Sequence, residues 1–248
     1  MKSSFVTGLL RRYVFRKEED VRIIKDVSEI RERGFEDAIE ERLRPYNGRS
    51  RESLIVEFGL NQKSKDVNER IVAAILRVKG KVSETAEFRM ANILPKTVRI
   101  DKKGSIKESM SFKAFRAREI AGQRWEESEL KELFESSRFM FIIFRVDDDG
   151  GQVFEGIRFW NMPPSEIEEV EKVWTKTARI IREGVKFVTV NGRIGNNLPK
   201  SSENPVAHVR PHARDSSDTD ELPDGRTMTK QCFWLNRQYV MRILRQYV

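Results

Sequence analysis

The hexapeptide FMFIIF, residues 139–144, constrains this chain more than any other stretch. Six consecutive apolar residues are far too few to span a bilayer, and the run suits a buried strand. The turn DDDGG (147–151) follows, and QVFEGIRFWNM (152–162) returns as a partner, which makes the clearest hairpin in the sequence. Whatever else the chain does, it has to bury a sheet.

Helical patterns supply the cover. The first eighty residues read as helical over 4–15, 28–43 and 51–58, punctuated by Pro45 and Gly48 of RPYNGRS. The pattern is strongest where Asp66 and Glu69 form a reciprocal N-cap before the stripe Val67, Ile71, Ala74, Ile75 and Val78, with Gly80 as the stop. From residue 93 the character changes. ILPKTVRI (93–100) and SIKESMSF (105–112) flank the turn DKKG as a hairpin-like pair, and a polar helix is expected around 126–137. Ser165 with Glu168 gives a capping box for a helix through Ile167, Val170, Trp174, Ala178 and Ile181, closed by Gly184. Trp160 and Trp174 are expected to pack that helix on the sheet. Further strands are read in VKFVTV, AHVRP and QCFWL, with a Pro-, Ser- and Asn-rich passage at 195–205 and an exposed, mobile loop at 215–225. RQYVMRILRQY closes the chain as a basic amphipathic helix. This order indicates an α/β chain of the mixed α+β kind, with a central mixed sheet flanked by helices. We read residues 1–248 as a single domain, 1–80 being a helical N-terminal part and 81–248 the sheet-containing core.

Charge narrows the partners. Lys and Arg number 47 against 39 Asp and Glu, a net +8, which favours a polyanion if the excess gathers on one face. A charged fraction of 35%, against about a quarter in ordinary proteins, also fits a heavily solvated surface. The single cysteine, Cys232, excludes an internal disulfide framework and a cysteine-based metal cluster, and it fits a reducing cytoplasm. Paired arginines interrupt the N-terminal apolar stretch, so neither a signal peptide nor a membrane partner is expected.

The segment AEFRMANILPKTVRI (86–100) resembles a nuclease centre with one part missing. Metal-dependent phosphodiester cleavage needs carboxylate oxygens converging on Mg²⁺ and a cation near the phosphate. In a strand, residues two apart share a face, so acid-x-Lys directs both groups into one cleft. Glu87 and Lys96 are suitably spaced, but Leu94 stands where the second acid would be. One alternative is a working Mg²⁺-dependent nuclease that recruits Glu84 or Glu108 as the second acid, and another is that Glu87 and Lys96 merely flank a strand. Arg138 reads either as a cation entering the cleft of Lys96 or as a solvated helix end.

HVRPHARD (208–215) places His208, Arg210, His212 and Arg214 at alternate positions. An extended segment would present all four to phosphates or base edges, and arginine can read guanine with two hydrogen bonds. A solvated edge strand explains the same pattern. Pro211 argues against a helical zinc site built on the two histidines, so no metal is assigned there. In TKQCFWLN (229–236), Lys230 precedes a strand whose alternation turns Phe233 and Leu235 one way and Cys232 and Trp234 the other, leaving Trp234 partly available to a ligand.

Taken together, GKVSETAEFRMANILPKTVRI, KESMSFKAFRAREIAGQRWEESEL, SSRFMFIIF, GIRFWNMP, HVRPHARD and TKQCFWLN resemble, in that order, the C-terminal half of the Sau-type restriction endonucleases that act at GATC. TGLLRRYVF and LRPYNGRS extend the resemblance towards the N-terminus. Those halves are similar to the mismatch-repair nuclease MutH. The resemblance implies a MutH-like version of the PD-(D/E)XK restriction-endonuclease fold. It also implies a DNA-binding allosteric effector whose cleavage activity resides in another, intact nuclease half. On it, Glu87, Leu94 and Lys96 stand at the two acids and the lysine of a degenerate centre. Arg210 and Pro211 match an RPK segment that reads DNA, with His212 in place of the lysine, and Trp234 falls where MutH has a tyrosine at its DNA surface. The implied partners are double-stranded DNA, with no cofactor needed for binding, and a nuclease half. Mg²⁺ enters only the cutting alternative.

Overall fold

The computed structural model describes residues 21–24, 34–190 and 193–246. They form two compact units, one from the residues up to Ser105 with Ser136–Asn161, the other from Ile106–Glu135 with the residues from Met162 onward. The fold is α+β with several small sheets. The helix read at 4–15 lies outside the described residues, and of the one read at 28–43 the described part is α1 (Phe35–Leu43). No described helix is long and apolar enough to cross a membrane.

In the first unit, β1 (Ile93–Ile100) does not form the expected hairpin. The next strand, β2 (Met110–Ala114), pairs elsewhere, and β1 runs parallel to β3 (Arg138–Val146), with Leu94 opposite Phe139 and Lys96 opposite Phe141. A short turn permits a hairpin but does not require one, and the continuous apolar edge of β3 is the better partner for Ile93, Val98 and Ile100. β4 (Gln152–Trp160) returns antiparallel to β3 as the DDDGG turn implies, giving the order β1-β3-β4. Phe139–Phe144 are each at most 6% exposed. At about 1.5–3 kcal/mol per buried large apolar side chain, this strand is a main source of the unit's stability.

The register of β3 with β4 shifts between Ile143 and Phe144, opposite Gly156 (φ +115°). A Cβ there would come within 3.3 Å of the Asn47 side chain. Glycine permits both the bulge and the close approach of RPYNGRS. The Gly48 N–H donates to the Phe154 carbonyl at 2.8 Å and the Phe154 N–H to the Arg49 carbonyl at 2.9 Å, so this loop covers the outer edge of β4. α2 (Arg51–Glu57) then starts from Ser50, whose hydroxyl accepts the Ser53 N–H.

α3 (Val67–Ile75) buries Val67, Ile71 and Ile75 from the expected stripe. Its reciprocal cap is absent. Asp66 instead meets Arg70 and Lys81, and Glu69 accepts the Ser83 N–H, because charged donors and a distant backbone amide outcompete the local N–H groups. The helix ends at Ile75, before Gly80, and the chain leaves it through Arg77 at φ +60°.

In the second unit, β2, β10 (Gln231–Leu235) and β7 (Ala207–Pro211) form an antiparallel sheet in the order β2-β10-β7. Two hairpins lie beside it in sequence: β5 (Phe187–Val190) with β6 (Arg193–Asn196), and β8 (Thr219–Glu221) with β9 (Thr227–Thr229). The second corrects the reading of 215–225 as an exposed, mobile loop. Leu222 is buried and the Asp220 carboxylate accepts the Ala117 N–H at 2.6 Å.

Ala117 opens the short α5 (Ala117–Gly122), and α6 (Glu129–Ser136) falls within the expected polar helix. α7 (Pro164–Glu183) ends on Gly184 (φ +109°) as expected. It begins one residue ahead of Ser165, after Pro163 and without a side-chain cap, since proline at the first helical position already has the required φ and lacks an N–H to satisfy. Trp174 packs on Trp125 at 5.7 Å within this unit, while Trp160 lies against Phe139 and Phe141 in the first. α8 (Arg237–Arg245) is the basic amphipathic helix, burying Tyr239, Val240, Ile243 and Leu244.

Candidate nucleic-acid interface

The nuclease-like positions lie in the first unit. Glu87 is on α4 (Ala86–Met90), directly before β1. Its Oε1 accepts the N–H groups of Ile23 and Ile24 at 3.0 and 2.9 Å, and its Oε2 is buried without a hydrogen-bond partner. The Ala86 N–H donates to the Val21 carbonyl at 3.0 Å, so residues 21–24 are clasped along the start of α4. Leu94 and Lys96 alternate on β1 and are both half-buried.

Other candidate groups are engaged as well. Arg138 holds Glu36 through two hydrogen bonds, Nε to Oε1 at 2.6 Å and Nη2 to Oε2 at 2.5 Å. Glu84 accepts the Lys81 N–H within its own turn at 3.2 Å, and Glu108 belongs to the other unit. A hard divalent cation needs several oxygen ligands. Leu94 offers none and one oxygen of Glu87 already serves two amides. Among the described residues no group of three or more His, Cys, Asp or Glu is placed to hold a metal. At these positions only Glu87 Oε2 is left to meet a cation.

The second unit gathers His208, Arg210, His212 and Trp234 on one face of β7 and β10. Trp234 is opposite His208 and Cys232 is opposite Arg210. Side chains two apart share a face, so the alternation of HVRPH meets the tryptophan from one side. The Arg210 guanidinium sits 4.5 Å above the Trp234 ring centre, within cation–π range, and the Trp234 Nε1–H donates to the Arg210 carbonyl at 3.3 Å. His212 approaches the same ring at 5.3 Å, and its Nδ1 is 3.2 Å from the Cys232 sulfur. Arg210 and His212 are exposed, and Trp234 is half-buried.

His208 differs from these. It is buried, lies nearly parallel to the Trp234 ring, and bonds through Nδ1 to Asn236 Oδ1 at 2.6 Å. Asn236 donates to the Asn204 carbonyl at 2.7 Å, and Asn204 in turn accepts the Val206 and Ala207 N–H groups. This amide chain fixes the entry to β7, with His208 inside it. Burial holds the His208 pKa below the ordinary histidine value, against the opposing effect of the Asn236 hydrogen bond. A folded-state pKa below the unfolded one means that the unfolded chain binds more protons on acidification. Stability is therefore expected to fall as pH drops through the ordinary histidine range. Thermal melts across that range should show the loss in the natural chain and a flatter profile in His208→Gln.

Lys230 precedes β10, and its ammonium is 2.5 Å from Asp218 Oδ1. Asp218 Oδ2 accepts the Arg214 N–H at 3.1 Å and lies 3.7 Å from Arg214 Nε. Lys230, then the Arg214 amide, hold the Asp218 carboxyl below its usual range. Arg214 lies beyond β7 and joins the Asp218 group.

No protein-family model matches the chain. Over 281 aligned positions covering 98% of its length, it is 35% identical to the type II restriction enzyme Sau3AI of Staphylococcus aureus. The chain spans 58% of the length of that relative.

Two residues of this surface escape sequence reading. Asp218 carried no signal because it falls in a segment read as loop. Asn236 precedes α8 and looks like an N-cap, but its side chain is used on His208 and Asn204 instead.

Proposed function

We propose that this chain is the DNA-binding, cleavage-deficient part of a MutH-like, PD-(D/E)XK type II restriction enzyme. It grips GATC-containing duplex DNA and favours cutting by an intact nuclease half. One observation carries the reading of deficiency: Leu94 stands two residues before Lys96, where a metal ligand is required, while Glu87 is occupied by the amides of Ile23 and Ile24. The stack of Arg210 on Trp234 supplies the grip. Arg210 reads base edges, His212, Arg214 and Lys230 meet phosphates, and buried His208 positions the strand that carries Arg210. Bound DNA acts on a partner only by favouring one arrangement of the two, so the effector role requires unequal affinity for those arrangements. The cytoplasm, where DNA and thiols are both available, is the expected compartment.

A second reading has one observation in its favour, the buried, unpartnered Oε2 of Glu87, which a bound cation would satisfy. Binding and plasmid-cleavage assays separate the two. Affinity for a GATC duplex should exceed that for a scrambled duplex, and both should fall linearly on a log–log plot against salt as counterions are released. Plasmid incubated with Mg²⁺ or Mn²⁺ should stay intact. Metal-dependent nicking that Lys96→Ala abolishes would install the nuclease reading, and a flat salt response would remove the DNA reading.

A further inference from the structure

We propose that Asp218 is a specificity-determining residue that restrains non-specific phosphate binding by occupying the cations of the interface. The inference rests on the DNA-binding reading above.

The hairpin places Asp218 there. In β8 and β9, Thr219 faces Thr229, so the next pair outward is Asp218 with Lys230, and the Lys230 N–H donates to the Asp218 carbonyl at 3.0 Å. The Lys230 carbonyl in turn accepts the His212 N–H at 2.9 Å. One connected backbone path thus ties Asp218 to the segment carrying Arg210. The Asp218 side chain is only 12% exposed, against 44% for Lys230 and 87% for Arg214. Its two oxygens divide the work, Oδ1 taking Lys230 and Oδ2 facing Arg214.

A carboxylate so held does the job of a phosphate oxygen before any DNA arrives. Random duplex, which offers little beyond phosphates, has to compete with it for Lys230. Specific duplex also gains the base contacts of Arg210, and so it loses less. Discrimination rises because the sequence-independent part of the grip is reduced.

The test is Asp218→Asn, titrated against GATC and scrambled duplexes over a salt series. Affinity for the scrambled duplex is expected to rise roughly 3- to 10-fold, with a salt slope steeper by about one and a smaller gain on GATC. Asp215→Asn removes the same charge from the same segment and should change scrambled binding far less. In a Lys230→Gln/Arg214→Gln background the effect of Asp218→Asn should vanish. Asp218→Glu, which keeps the charge, should keep most of the discrimination. Equal gains from Asp218→Asn and Asp215→Asn, or a gain that persists without both Lys230 and Arg214, would reduce the effect to net charge and overturn the proposal. A drop in binding to both duplexes with loss of folded structure in Asp218→Asn would overturn it too, leaving the residue a strut. If the natural chain binds no duplex, the underlying reading falls with it. If it binds and only these variant differences fail, this inference alone is lost.

Discussion

Arg210→Ala is expected to weaken binding to a GATC duplex by about 1–3 kcal/mol, roughly 5- to 150-fold, with a much smaller loss on scrambled DNA. The asymmetry follows from where the guanidinium sits. Held 4.5 Å above the Trp234 ring, Arg210 gives up little further freedom on binding, and its hydrogen-bonding edge remains available to a base. Arg210→Lys should not rescue, because an ammonium lacks the planar fork. Trp234→Ala removes the platform and should lose part of the same discrimination, whereas Trp234→Phe should retain most of it. Lys230→Ala should weaken all duplexes alike. Anisotropy titrations at one fixed salt concentration would settle these comparisons. Equal losses on specific and scrambled DNA for Arg210→Ala would remove it as a base reader.

The legible parts of this fold are those in which local pattern and tertiary need coincide. FMFIIF could only be a buried strand, DDDGG could only return it on itself, and Gly184 could only end a helix. ILPKTVRI was legible as a strand but not in its partner, because pairing depends on which apolar edge is free, and β3 starts only at Arg138, well downstream of Ile100. The caps at Asp66 and Ser165 had the right letters and no cap bond. Arg70 and Lys81 take Asp66, and Pro164 starts the helix that Ser165 was expected to begin. At the interface, alternation alone brought His208, Arg210 and His212 to Trp234. It did not indicate that His208 would be buried, since that depends on Asn204 and Asn236 converging from separate segments.

Glu87→Ala is expected to cost about 2–6 kcal/mol of stability, because the Ile23 and Ile24 amides lose their shared acceptor, and each buried donor left unpaired costs about 1–3 kcal/mol. Against a total of about 5–15 kcal/mol for an ordinary domain, this is a large fraction. Glu87→Gln keeps an oxygen at that position and should recover most of the loss. The two variants separate a clasp from a metal ligand, since an amide accepts N–H groups well but is a much poorer partner for a hard cation. Urea denaturation with and without Mg²⁺ reads both properties at once. A cation present at a hundred times its dissociation constant would add about 2.7 kcal/mol, so an unchanged midpoint in the natural chain is the expected result. A Mg²⁺-dependent rise lost equally in Glu87→Ala and Glu87→Gln would restore Glu87 to metal chemistry. The same logic applies to Leu94→Glu. Returning a carboxylate to β1 supplies one ligand, but Glu87 Oε1 stays with the amides of residues 23 and 24, so the substitution alone should create neither Mg²⁺ stabilisation nor cleavage.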